Sequence, residues 1–137
     1  MIILTQIAGF ILIALATVHV IFPRYFGWKS DLKHLQLVNR QMMEVHTFFI
    51  ALTVFLMGIL CVVSAEDLAG TRLGRTVCAG FAVFWGARFL VQFFWYSPSL
   101  WRQKRFETFV HIVFSILWAS LTLLFVWLAL GPVPDAT

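Results

Sequence analysis

MMEVHTFFIALTVFLMGILCVVSA, Met42 to Ala65, carries one carboxylate and one imidazole and is otherwise apolar or hydroxyl-bearing. An α-helix rising 1.5 Å per residue needs about 20 such residues to cross the hydrocarbon of a bilayer, so this run reads as a transmembrane helix. Met1 to Phe22, Thr76 to Ser97 and Phe106 to Gly131 read the same way. Period-two alternation is absent, and backbone groups in lipid must be satisfied within each segment, which leaves helices rather than barrel strands. The expectation is an all-α, polytopic, four-transmembrane-helix bundle forming one domain over residues 1–137. Composition agrees: the chain is 61% hydrophobic and 12% charged, with a mean hydropathy of +0.92, values foreign to a soluble domain.

The first segment has no basic residue before its apolar run and no small-x-small site before Pro23, so it is expected to be a retained anchor rather than a secretory signal. Orientation follows from Lys and Arg in the short loops. Arg24, Lys29, Lys33 and Arg40 fall in the first loop and Arg102, Lys104 and Arg105 in the third, against Arg72 and Arg75 in the second. The expected topology has both termini outside, periplasmic or extracellular, with the first and third loops in the cytoplasm. Positive charge beside membrane spans suits anionic headgroups, so the expected partners are the lipid bilayer and other membrane subunits or further copies of the chain, and not nucleic acid. Within the first loop, Ser30 to Gln41 reads as a short interfacial helix, capped by Ser30 and apolar along Leu32, Leu35 and Val38. His34 on it is expected to be solvated.

Three other histidines share a depth. His19 lies three positions before Phe22, His46 four after Met42 and His111 five after Phe106, roughly 5 to 8 Å inside the cytoplasmic boundary. Gln92 is the polar residue of the third span at that level, within a stripe, Arg88, Gln92 and Tyr96, whose i, i+4, i+8 spacing places all three on one face. Glu107, four residues before His111, shares its face and is expected to orient the imidazole. Glu44 is turned away from His46, whereas Met42 and Met43 share that histidine's face. Ionisable groups inside a membrane usually mark a ligand, ion or proton site. The candidate cofactor-binding residues are therefore His19, His46, His111, Arg88, Gln92 and Tyr96, and the candidate metal ligands His19, His46, His111 and Glu107.

Two cofactor chemistries fit these residue types. A transition metal such as iron, zinc or copper needs three imidazoles converging at about 2.0 to 2.2 Å. Haem needs one or two as axial ligands, aromatic walls and a cation for its propionates, the last a role open to Arg88. Neither CxxCH nor HExxH is present. Arg88 needs compensation, since a guanidinium within a bilayer costs at least ~2.5 kcal/mol on insertion scales; Glu107, Glu44 or an anionic ligand are the candidates. Cys61 and Cys78 read as inert buried thiols or an outer-side disulfide. Gly58, Gly80 and Gly86, with Ala79, Ala82 and Ala87, read as close-packing positions.

In its four spans, its Asn39-Arg40 pair entering the second helix and its Arg88 to Tyr96 stripe, the chain resembles in layout the membrane-associated proteins of eicosanoid and glutathione metabolism. Arg40, Gln41, Met43, Glu44 and Thr47 do not reproduce that family's arginine, asparagine and glutamate pattern, so the resemblance implies glutathione-type conjugation only as a remote reading. The expected function is haem or metal binding in a redox or metal-handling role. The contrasting expectation is a non-catalytic accessory subunit of a larger membrane complex.

Overall fold

The computed structural model describes residues 1–101 and 104–131; Arg102, counted above for orientation, and Pro132 and Pro134, which follow the last span, lie outside the described residues. The described residues form six α-helices: α1 (Ile2–Tyr25), α2 (Trp28–Asp31), α3 (Leu37–Val63), α4 (Ala65–Gly70), α5 (Arg72–Phe94) and α6 (Arg105–Leu130). Single 3-10 turns lie at Leu32–His34 and Pro98–Leu100, and no strand occurs among the described residues. Helices α1, α3, α5 and α6 are each long and apolar enough to cross a membrane. The chain is thus an all-α, multi-pass membrane protein.

Helix ends depart from the apolar runs in a consistent way. Hydropathy marks the part of a helix that lipid covers, whereas the backbone continues until something breaks it. Helix α1 runs through Pro23 to Tyr25, and α3 starts five residues before Met42, taking in Asn39, Arg40 and Gln41. Helix α5 starts at Arg72 because Thr71 caps it, its Oγ1 accepting from the Gly74 amide at 2.9 Å. The short helical piece of the first loop lies at 28–34, not 30–41. Gly27, at φ +62°, turns the chain out of α1, and Leu35 and Gln36 are extended at ψ 153° and 144°, which separates that piece from α3. Ser30 sits inside α2 and donates to the Gly27 carbonyl at 2.7 Å instead of capping.

Two compact units arise, Ile2–Ala65 and the chain from Glu66 onward. In the first, α1 packs on α3. Thr5, Ala8, Leu12, Leu15 and Ala16 mark the buried face of α1 at helical spacing, and Val54, Gly58 and Cys61 that of α3. The backbones approach most closely at Gly9 and Gly58: a Cβ on Gly9 would stand 2.7 Å from the Gly58 carbonyl oxygen, and one on Gly58 2.8 Å from that of Gly9. Only hydrogen fits there.

In the second unit α5 and α6 run antiparallel and meet along their length. Arg75 Nε donates to the Ala129 carbonyl at 2.9 Å, placing a cation at the negative end of α6. Further along, Phe81 meets Phe125 edge-on at 5.1 Å, and Trp85 stacks on Trp118 at 5.1 Å. Cys78, Trp85 and Gln92 recur every seven residues on the buried face of α5, opposite Trp118, Leu121, Phe125 and Leu128 on α6. Helix α4 docks beside them, with the Cys78 thiol directed at the Leu68 carbonyl, 3.8 Å away. Many large apolar side chains, Phe10, Leu56, Val83 and Phe109 among them, stay exposed, as suits helices whose solvent is lipid.

A polar relay in the second helical hairpin

The seven-residue repeat on α5 that buries Cys78 and Trp85 carries Gln92 to the same face one step later, and there an amide stands where a hydrophobe would pack. Gln92 is 8% exposed, so both ends of its amide need partners. Its Oε1 accepts from Arg88 Nη1 at 3.2 Å, one turn back on α5. Its Nε2 lies 2.8 Å from Nδ1 of His111 on α6. These two bonds fix the protons. A guanidinium only donates, so the Gln92 atom facing it is the carbonyl oxygen, and the amide NH2 is left to face His111. Nδ1 of His111 therefore accepts, and the neutral ring carries its hydrogen on Nε2.

Aromatic rings hold this relay in place. Trp101 stacks flat on His111, with centroids 4.0 Å apart and planes 9° apart, and Phe93 meets the imidazole edge-on at 5.7 Å. Thr108 Oγ1 donates to the Trp101 carbonyl at 2.7 Å, tying the loop to the first turn of α6. The Arg88 guanidinium carbon lies 5.1 Å from the Trp118 ring centroid and 5.6 Å from that of Tyr96, contacts that stabilise a cation in apolar surroundings. Tyr96 lies just past the end of α5, yet the four-residue stripe still delivers it to Arg88.

The expected partners of these groups are partly replaced. Glu107 is exposed and makes no hydrogen bond or ion pair among the described residues, so orienting His111 falls to Gln92 rather than to a carboxylate. Arg88 is compensated by an amide and two π faces, and neither Glu107 nor Glu44 pairs with it among the described residues. Of the small residues, Gly58 lies at a close crossing, Gly86 makes an ordinary contact with Thr122 and Gly80 has nothing within 4 Å. Cys61 and Cys78 are buried thiols, one in each unit.

His19 and His46 belong to the first unit. Nδ1 of His19 lies 2.8 Å from the Leu15 carbonyl oxygen. A carbonyl only accepts, so Nδ1 bears the hydrogen, and in the neutral ring the lone pair falls on Nε2, the reverse of His111. Phe22 packs on the His19 ring at 4.9 Å. His46 is exposed and makes no hydrogen bond among the described residues. Measured from helix ends, His19 and His111 each stand six residues in, whereas the early start of α3 puts His46 nine residues from Leu37. No group of three His, Cys, Asp or Glu side chains among the described residues is placed to hold a metal ion.

Sequence spacing foreshadowed Arg88, Gln92, Tyr96 and the level of His111. Trp118 had a signal, standing seven residues from His111 on one helix face. Trp101 had none, because a loop delivers it. No family model, curated protein or solved structure matches this chain.

Proposed function

We propose that this protein binds haem within the membrane, in a redox role, and that His19 Nε2 would hold its iron. The tautomer of His19 carries the reading: a ring whose Nδ1–H is held by a backbone carbonyl offers Nε2 to iron, the arrangement metal-bound histidines favour. His46, exposed and without a hydrogen bond among the described residues, is the second candidate ligand. His111 is assigned a donor's role, because Gln92 occupies Nδ1 and Nε2 carries the proton. A three-histidine transition-metal site is the weaker form of the proposal for the same reason. The first and third loops are proposed to face the cytoplasm, on the seven-to-two excess of basic residues counted above.

The test is the absorption spectrum and iron content of the detergent-purified chain from haem-replete cells. The expected result is a Soret band that His19→Ala removes or shifts and His111→Ala leaves in place; a colourless, iron-free wild type rejects haem binding.

One observation favours a second reading, a non-catalytic accessory subunit. Arg88, Gln92 and His111 hydrogen-bond one another across the hairpin, as polar groups do when they serve helix association. A preparation free of colour and metal, in which Gln92→Leu weakens only folding, fits that reading.

A further inference from the structure

The relay contains more donors than it can use. Arg88 has five N–H groups, and its hydrogen-bond partner among the described residues is one neutral oxygen, Gln92 Oε1. Beneath it, Trp118 is 4% exposed, and Trp85, stacked on Trp118, is 2% exposed. Both indole Nε1–H groups are buried without an acceptor among the described residues, which native interiors rarely leave so. His111 adds an Nε2–H. Guanidinium, two indoles and the imidazole Nε2–H all donate, and the two acceptors among these side chains are spent, Gln92 Oε1 on Arg88 and His111 Nδ1 on the Gln92 amide. The complement of such a cluster is a group rich in acceptor oxygens and negatively charged.

The position of Arg88 narrows the class. Its Cα lies six residues, about 9 Å, inside the end of α5, within the span. The guanidinium carbon stands 5.1 Å from the Trp118 ring centroid and 5.6 Å from that of Tyr96, and its fork of N–H donors suits two oxygens of one oxyanion. The side chain is half-buried, and the neighbouring surface is apolar, with Phe84 and Val91, four residues before and three after on the same helix, exposed. A molecule arriving there carries its charge on a hydrophobic body. We propose that the α5–α6 hairpin binds the oxyanion headgroup of an acidic amphiphile, with Arg88 as its principal partner and the buried indole donors beside it. This site is independent of His19 and of haem.

The test uses the full chain in detergent micelles and in phosphatidylcholine nanodiscs, probed with phosphatidylglycerol and, separately, with inorganic phosphate. Retained lipid is counted by native mass spectrometry, at low salt and at 0.5 M salt, where exposed loop charges such as Arg24 and Lys29 are screened on the order of 4 Å. The wild type is expected to retain phosphatidylglycerol at both salt levels. Arg88→Gln is expected to weaken retention about tenfold or more, as for loss of a charge-assisted bond, and Arg88→Lys to weaken it less. Trp118→Phe, which keeps the ring and removes the donor, supplies a second reading should Arg88→Gln fail to fold, with a several-fold loss expected. Equal retention by the wild type, Arg88→Gln and Trp118→Phe overturns the proposal. Arg88-dependent binding of inorganic phosphate without phosphatidylglycerol overturns the amphiphile and assigns the oxyanion to the soluble pool. A spectrum lacking haem leaves all of these outcomes readable, so the two proposals fail separately.

Discussion

Gln92 decides the protonation of its neighbours because its amide has one accepting and one donating end, and Arg88 takes the first. The consequence is that His19 and His111 are opposite tautomers in one chain, Nδ1–H and Nε2–H respectively. Nitrogen-15 spectra of the neutral imidazoles should show that difference, and identical tautomers would contradict the relay. Gln92→Glu replaces the donating end with an acceptor, so His111 is expected to take a hydrogen on Nδ1 and its nitrogen-15 pattern to move accordingly. Gln92→Leu leaves both His111 Nδ1 and Arg88 without their amide partner, and the expected loss is about 1–3 kcal/mol, read from denaturant titration in mixed micelles.

At the scale of the helix, contact distance rather than hydropathy sets tolerance. Gly58→Ala drives a methyl against the Gly9 carbonyl and Ile13, so α1 and α3 must separate. The expected cost is about 1–3 kcal/mol, as for overpacking a close crossing. Gly80→Ala meets nothing within 4 Å and is expected to be neutral or stabilising by up to ~1 kcal/mol through helix propensity. If the same micelle titration ranked the two substitutions the other way, the crossing would be misassigned. Thr71 both caps α5 and donates to the Asp67 carbonyl at 2.8 Å, so Thr71→Ala is expected to lose about 1 kcal/mol.

For the molecule as a whole, the proposed topology puts the first and third connections on one side of the membrane and the second on the other. Single cysteines at Ser30 and Ser99, in a chain with Cys61 and Cys78 replaced, should label together with an impermeant maleimide, and one at Thr71 oppositely. Labelling of Ser30→Cys and Ser99→Cys only after the inner face is opened is the outcome that the proposed cytoplasmic loops require. The number and class of spans could be read from composition because each helix satisfies its own backbone and needs only enough apolar length. The stripe Arg88, Gln92, Tyr96 was equally legible, since residues four apart share a face whatever lies opposite. Pairing across helices depends on register and on loops, which spacing does not encode. Thus Glu107, on the right face of its own helix, yields to Gln92 from the neighbouring one, and Trp101 arrives on His111 from a turn with no periodic signal. Local chemistry along the chain set what each helix is and which residues it carries; the meeting of α5 with α6 decided which atoms donate, because a hydrogen bond needs a partner that only packing brings within reach.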